Sequence, residues 1–241
     1  MINSFINKFI IFILSIFDLS NKLKIKTFFK SQRLEKNLDI IDIGAHKGET
    51  IDFFLNNFKI NKIYSFEPNH ELYEHLIKKN YPKNVEILDF GVSNLESVGV
   101  LHIMKDTSSS TFNNINQQTK YFKRKNKYLS LFDSDKNFIK KTQETKLVSL
   151  ASVFINKDIK KIDILKIDTE GYELNILKGI TDKDFKKIKF ILFEHHYDLM
   201  IEKKYKFSDI NELLLKKDFK QSFKIKMKFR KSFEYIYKNQ S

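Results

Sequence analysis

The stretch LDIIDIGAHKGET, residues 38–50, decides the fold. Its apolar run LDIIDI has the length of a buried strand and ends at Gly44, after which a helical pattern continues from about Gly48 to Phe58. A buried strand that passes through a short glycine-containing loop into a helix is typical of the first βα unit of a parallel sheet. We therefore expect further βα units along the chain.

Short apolar runs do alternate with helical patterns after this stretch. They read KIYSFEP, VEILDFG, DILKID and FILFEHH, at residues 62–68, 85–91, 163–168 and 190–196. The C-terminal pattern FKIKMKF followed by FEYIYK alternates in the manner of an antiparallel hairpin. The sequence thus predicts an α/β fold: a doubly wound, mostly parallel seven-stranded sheet with a C-terminal antiparallel hairpin.

The chain is predicted to form one domain, at residues 37–241, because one core can support this length. Residues 105–143 are polar and almost without periodicity, so we predict a long surface excursion there. VGVLHIM, at residues 98–104, follows the third strand too closely for a crossover helix and is predicted to be an antiparallel extension of the sheet.

Residues 1–36 are predicted to be an apolar helix followed by a basic linker. The apolar run FIIFILSIF, Phe9 to Phe17, is too short to cross a bilayer, which needs about 20 residues. It is interpreted either as a helix packed on the domain or as an in-plane membrane anchor assisted by the lysines that follow. We expect a cytoplasmic protein, which under the second interpretation contacts the inner face of the membrane.

Composition limits the chemistry and the partners. The net charge is +14, yet only Arg33, Arg124 and Arg230 are arginines among 44 basic residues, and the lysines are spread along the chain. Nucleic-acid-binding proteins favour Arg for its bidentate geometry, so no nucleic-acid partner is expected. The chain has no Cys, which excludes disulfides, thiolate metal sites and cysteine nucleophiles.

Acidic residues recur at the ends of the five predicted parallel strands. The C-terminal ends of parallel strands form one rim, where ligands bind at the switch in strand order. Single acids in such places often cap the following helix instead. Five acidic residues on one rim favour a binding site. They are Asp42, Glu67, Asp89, Asp168 and Glu194.

The loop after the first strand indicates an adenosine-type ligand. Gly44 allows a sharp turn, and Ala45 and Gly48 leave the backbone accessible to a ligand. Glu67 follows Gly44 at about the spacing of an acid that accepts hydrogen bonds from a ribose. The ligand is a nicotinamide dinucleotide or S-adenosylmethionine, and the missing third glycine of the G-x-G-x-x-G pattern disfavours the dinucleotide.

Several motifs together resemble the FkbM family of methyltransferases. The resemblance runs from about Asp39 to His196 and is most specific at LKIDTEGYELNILKG, Leu165 to Gly179. The other matching motifs are DIGAHKGE, SFEP, GVSN and the serine cluster at residues 108–110. The resemblance implies a class I methyltransferase fold and transfer of a methyl group from S-adenosylmethionine to a hydroxyl of a sugar, surface glycan or related molecule.

The resemblance also implies roles for residues of the rim. Asp42, Gly44, Ala45 and Gly48 would hold the methionine end of the cofactor, and Glu67 its ribose. The adenine would lie against Asp89 to Val92, including Gly91. His46 departs from the family, which usually has Asn there; an imidazole still donates one hydrogen bond, so binding is expected to persist with a pH dependence.

Transfer to an alcohol requires a base that removes the hydroxyl proton. We predict that Asp168 or His195 is this base and that Glu170 orients the acceptor. The same residues suit Mg²⁺ or Mn²⁺, but nothing in their spacing requires a metal, and no metal site is predicted. The alternatives are helix capping by Asp168 and Glu170, a noncatalytic glycan-binding or scaffold protein, and an NAD-dependent oxidoreductase.

Overall fold

The computed structural model describes residues 18–34, 36–105, 107–124, 139–228 and 230–241. The predicted apolar helix at Phe9–Phe17 lies outside the described residues. No helix in the described ranges is long and apolar enough to cross a membrane.

The predicted seven-stranded sheet with its C-terminal hairpin is confirmed. Its strand order is β3-β2-β1-β7-β8-β10-β9, with all neighbours parallel except β10, which is antiparallel to both β8 and β9. The strands are β1 (Leu38–Ile43), β2 (Ile60–Phe66), β3 (Val85–Leu88), β7 (Ile162–Ile167), β8 (Ile188–His196), β9 (Phe219–Lys226) and β10 (Ser232–Asn239).

Helices cover both faces of this sheet. They are α1 (18–31), α2 (Glu49–Asn57), α3 (His70–Lys78), α4 (120–124), α5 (Leu150–Asn156), α6 (Glu173–Lys178), α7 (Asp182–Phe185) and α8 (Phe207–Lys216). The strands are apolar on both faces because each face is covered. In β1, for example, Ile40 packs in one core with α1 and α2, and Ile41 packs in the other with α5, α6 and α8.

Helix α1 belongs to the domain, which corrects the prediction of a basic linker within residues 1–36. Ile25 and Phe29 of α1 are buried in the core on one sheet face. The Phe29 ring lies 5.6 Å from the ring of Phe190 in β8, edge to face. Burial of an Ile or Phe side chain contributes about 1.5–3 kcal/mol, enough to hold a lysine-rich helix on the sheet.

The predicted antiparallel extension instead forms a second, smaller sheet. Its order is β4-β6-β5, where β4 is Gly91–Ser93, β5 is Ser97–Met104 and β6 is Ile139–Ser149. The predicted excursion at 105–143 is therefore partly regular, because its last residues begin β6 and pair with β5. Within the same excursion, Ile115 forms an isolated β-bridge with Ile201, in the segment that follows β8.

Helix α8 begins at Phe207, and the Asp209 carboxylate accepts a hydrogen bond from the Lys206 amide at 2.7 Å. A first-turn carboxylate therefore satisfies a free amide at the start of this helix.

Candidate active site

A cavity of about 270 Å³ opens at the C-terminal ends of β1, β2, β7 and β8. Residues of α1, of the turn at 107–112 and of the hairpin between β9 and β10 complete its wall. The rim predicted from the strand ends is thus a real concave site, and it includes parts of the chain from Asp18 to Glu234.

The loop after β1 brings backbone close to this cavity. Gly44 has φ +88°, and a Cβ there would lie 2.0 Å from the carbonyl oxygen of Asp168, so only glycine fits. Ala45 is buried, and its amide donates to the carbonyl of Phe66 at 3.0 Å. Gly44 and Ala45 both line the cavity.

Gly48 has a different role from the one predicted. It also has a left-handed φ of +89°, but a Cβ there would meet the hydroxyl of Tyr81 at 2.2 Å. Gly48 is not among the cavity residues. Its small size therefore serves the start of α2 and its packing against Tyr81.

Glu67 lies on the cavity wall at the end of β2 and is 6% exposed. Its Oε2 accepts from the His46 amide at 2.7 Å and its Oε1 from the Asn69 amide at 2.9 Å. Burial raises the pKa of Glu67 to about 7, against the opposing effect of these two hydrogen bonds. Each carboxylate oxygen keeps a second lone pair, so a ribose hydroxyl can still bind here.

His46 connects this loop to the turn at 107–112. Its Nε2 lies 2.8 Å from the Thr107 hydroxyl, and its Nδ1 lies 3.1 Å from Glu49 Oε1. Burial opposes the ionisation of Glu49, but the hydrogen bond from His46 lowers the pKa of this carboxyl to about 2. The imidazole therefore holds together two segments of the cavity wall.

Asp42 does not contact the cavity, which corrects its predicted contact with the methionine end. Its side chain is 0% exposed, accepts from the Ser65 hydroxyl at 2.8 Å and lies 3.5 Å from Lys166 Nζ. Burial raises the pKa of Asp42, although Lys166 and Ser65 oppose this effect. Asp42 supports Lys166, whose ammonium does line the cavity.

Asp168, the first predicted base, lines the cavity. Its side chain is 36% exposed, and Oδ2 lies 3.3 Å from Lys166 Nζ. Burial opposes ionisation, but the Lys166 ammonium and then His196 hold the pKa of Asp168 below its usual range. Asp168 therefore carries a negative charge at neutral pH.

The residues predicted to contact adenine divide into two groups. Gly91 and Val92 line the cavity, and a Cβ on Gly91 would meet the side chains of Leu147 and Phe112 within 2.8 Å. Asp89 is exposed and is not among the cavity residues, which corrects its predicted place. The strand β3 ends at Leu88, so Asp89 lies in the connection and points to solvent.

Glu170 lines the cavity from a left-handed backbone conformation, φ +51°. Its Oε2 lies 3.4 Å from His196 Nε2, which is also 3.3 Å from Glu194 Oε1. Burial opposes protonation of His196, but Glu170, Asp198 and Glu194 raise its pKa to about 10. A positively charged His196 therefore lies between Glu170 and Glu194 of the cavity wall and balances their charge.

His195 lies on the other face of the sheet, which corrects its prediction as a base. Neighbouring residues of a strand alternate between faces, and Glu194 is the one that lines the cavity. The His195 ring packs 4.9 Å from that of Tyr197 and 5.7 Å from that of Phe207. Burial, with the nearby Lys203, lowers the pKa of His195 to about 3.

The structure adds acidic and basic residues to the predicted site. Glu234 in β10 is in register with Glu194 in β8, and both line the cavity. Burial, and next Glu194, raise the pKa of Glu234 to about 8. Arg230 lines the same region and lies 3.7 Å from Asp18 of α1. We call Asp168, Glu170, Glu194 and Glu234 the carboxylate wall.

Two reasons explain why these residues were missed. Glu194 ends a recognisable strand, so its place on the rim is predictable. The sequence does not show that Glu194, and not the neighbouring His195, faces the cavity. Glu234 lies within a hairpin pattern whose partner and register the sequence does not specify.

Among the described residues, no group of three or more His, Asp or Glu side chains is arranged to hold a metal ion.

S-adenosylmethionine fits the residues present. The glycines at 44 and 91 leave backbone surface that a Cβ would fill or distort, and the Glu67 carboxylate faces the cavity beside them. These are the groups expected around an adenosine-type ligand.

Solved structures of methyltransferases share this fold. Methyltransferase FkbM from Methylobacillus flagellatus KT matches with a TM-score of 0.51 and 13% identity, over 83% of this chain and 44% of that one. Magnesium protoporphyrin IX methyltransferase (ChlM) from Synechocystis PCC 6803, solved with bound SAM, matches with a TM-score of 0.51 and 8% identity, over 93% and 81%. The architecture is that of a class I methyltransferase.

The family model described as the methyltransferase FkbM domain matches residues 42–221. The chain belongs to the FkbM methyltransferase family. It spans less than half the length of the Methylobacillus flagellatus protein. No curated protein sequence matches the chain.

Proposed function

We propose that the chain transfers a methyl group from S-adenosylmethionine to a hydroxyl of a sugar, surface glycan or related small molecule. The carboxylate wall is the observation that supports this. Four acids line one cavity with the loop of Gly44 and with Glu67. Carboxylates accept hydrogen bonds from hydroxyl groups, and one of them can also take the proton that an alcohol must lose.

The cofactor would bind against Gly44, Ala45, His46 and Glu67, with Gly91 and Val92 at the adenine. Glu67 would accept hydrogen bonds from the ribose through its remaining lone pairs. S-adenosylmethionine, when bound, supplies an electrophilic methyl group. The protein then has to hold the acceptor oxygen in line and remove its proton, and such positioning contributes up to about 7–11 kcal/mol in favourable cases.

Asp168 is the proposed general base, with Glu170 orienting the acceptor. Asp168 is ionised at neutral pH and faces the cavity. Glu234 is a second candidate, because a base acts best when its pKa lies near the working pH, and that of Glu234 is raised to about 8. The products are S-adenosylhomocysteine, the methyl ether and the proton left on the carboxylate.

The direct test incubates the full chain with methyl-labelled S-adenosylmethionine and separate acceptors. These are monosaccharides, nucleotide-activated sugars, bacterial polysaccharide and total RNA. We expect label in a sugar fraction as an alkali-stable methyl ether. Label in RNA alone would contradict the proposed acceptor class.

Calorimetry tests the cofactor assignment independently. S-adenosylhomocysteine is expected to bind, and NAD is expected not to bind. Binding of S-adenosylhomocysteine without transfer to any sugar would keep the family assignment and reject the proposed acceptor.

We also propose that the reaction takes place in the cytoplasm, since S-adenosylmethionine is a cytoplasmic metabolite.

A further inference from the structure

Helix α1 carries leucines on the side that faces away from the domain. Leu19 and Leu23 lie four residues apart, on one side of the helix, and are 58% and 52% exposed. The opposite side carries the buried residues Asn21, Ile25 and Phe29. A surface helix normally presents polar residues to solvent, so two exposed leucines on one side need a reason.

These leucines border an apolar groove between α1 and the edge strand β9. Phe28 of α1 and Phe223 of β9 stack with ring centroids 4.9 Å apart and form its floor. Leu19, Leu23 and Thr27 line its sides. The four apolar side chains thus form a continuous patch rather than scattered surface residues.

Basic residues are concentrated in the two chain segments that carry this groove, although two of them, Lys22 and Arg230, line the catalytic cavity instead. Residues 19–34 and 219–231 together contain eleven Lys or Arg and no Asp or Glu. The remainder of the chain has 33 basic and 30 acidic residues, so these two segments account for eleven of the fourteen net charges. Although lysines are spread along the sequence, the fold brings this acid-free pair of segments side by side.

We propose that this face, the groove with its surrounding lysines, binds the surface of an anionic lipid membrane. Apolar side chains surrounded by lysines match a bilayer surface, where leucines enter the acyl boundary and lysines contact lipid phosphates. In the sequence, the apolar run Phe9–Phe17 directly precedes α1.

Nucleic acid is the competing partner for a basic face. Nine of the eleven basic residues are Lys, and an RNA surface offers no counterpart for the groove of Leu19, Leu23, Phe28 and Phe223. An anionic membrane offers phosphates to the lysines and acyl chains to the apolar groove, so we favour a membrane over RNA.

Docking through this face would bring the membrane close to the catalytic cavity. Asp18, Asn21 and Lys22 on the inner side of α1 line that cavity. A helix with its side chains is about 10–12 Å across, so the cavity wall would lie one helix diameter from the lipid headgroups.

Vesicle co-sedimentation of the full chain tests the proposal. Wild-type protein is expected to bind phosphatidylglycerol-containing vesicles, to bind pure phosphatidylcholine vesicles at least tenfold more weakly, and to dissociate as salt is raised. The double variant Leu19→Asp/Leu23→Asp should lose at least tenfold in partition. Lys24→Gln/Lys226→Gln should lose about fivefold per lysine removed.

A matched control replaces exposed apolar residues outside this face. Ile155→Asp/Leu215→Asp changes side chains that are 77% and 53% exposed and should leave vesicle binding intact. Unchanged calorimetric binding of S-adenosylhomocysteine would establish that each variant is folded.

Three outcomes would overturn the proposal. They are no binding of wild-type protein to anionic vesicles, equal binding by the Leu19/Leu23 variant, and tight binding of homopolymeric RNA that survives the leucine substitutions.

Discussion

At the scale of single residues, Asp168 carries the proposed chemistry. Asp168→Asn keeps the shape of the side chain and removes the base, so kcat is expected to fall about 10²–10⁴-fold. The affinity for S-adenosylhomocysteine, measured by calorimetry, should change little. Turnover at the wild-type rate with normal cofactor binding would reject the catalytic role of Asp168.

Glu234 makes a separate prediction about pH. If Glu234 is the base, kcat/KM rises with pH through about 8, because the carboxylate must be deprotonated to act. Glu234→Gln would abolish this rise together with most of the activity. If Asp168 alone is the base, the profile is already flat above its lowered pKa, and Glu234→Gln keeps a flat profile.

Gly44 makes a prediction about the backbone. In Gly44→Ala the new Cβ would meet the Asp168 carbonyl at 2.0 Å, and the residue would keep a left-handed φ. We expect a loss of at least about 1–3 kcal/mol in stability and no detectable binding of S-adenosylhomocysteine. Chemical denaturation and calorimetry measure the two effects, and a wild-type affinity would show that the loop tolerates a side chain.

At the scale of elements, α1 is part of the core. Phe29→Ala removes a fully buried ring that contacts Phe58 and Phe190, so the free energy of unfolding should fall by about 3–5 kcal/mol. Leu23→Ala on the outer side of the same helix is the control, with an expected change within about 0.5 kcal/mol. Equal effects in urea denaturation would mean that α1 does not pack as described.

The elements also show what a sequence can predict. The strands of the main sheet were predictable because buried parallel strands are continuous apolar runs between helical patterns. The β4-β6-β5 sheet was not, since β6 carries Lys, Gln, Glu and Thr side chains that are mostly exposed, so its sequence resembles a loop. Helix α1 resembles a linker in sequence because lysines separate the apolar residues that are buried, such as Ile25 and Phe29.

The cavity was predictable where it depends on local geometry. Gly44, Ala45 and Glu67 follow their strands directly, so a rim could be inferred from their spacing. Asp42 and His195 were misplaced because one residue along a strand changes the face on which a side chain lies. Glu234 required the register of β10 on β8, which distant parts of the chain determine.

At the scale of the whole molecule, buried ionisable groups make stability depend on pH. In the folded protein the pKa of Glu67 is raised to about 7, that of Glu234 to about 8 and that of His196 to about 10. At each pH between the ordinary pKa of such a group and its raised pKa, the folded state therefore binds more protons than the unfolded state. The contribution of these groups to the free energy of unfolding is fully present at pH below their ordinary pKa values. It is lost as the pH rises toward 10.

The opposite sign holds on the acidic side. His195 has its pKa lowered to about 3 and Glu49 to about 2, so their contributions are lost as pH falls below about 6.5 and 4.5 respectively. We expect the highest Tm at mildly acidic pH and a decline from pH 6 to 9 in thermal denaturation. Glu234→Gln should flatten that decline, and a Tm that rises from pH 6 to 9 would contradict the assignment.

The ion pair between Asp18 and Arg230 has a consequence for the timing of synthesis. It joins the first described helix to the last hairpin, so the cavity wall contains residues separated by most of the chain. Once the ribosome has added Tyr172, the chain already contains the Gly44 loop, Glu67 and Asp168. Glu234 lies 62 residues after Tyr172. At about 5–20 residues per second, the nascent chain holds the cofactor loop for about 3–12 s before the carboxylate wall can be completed.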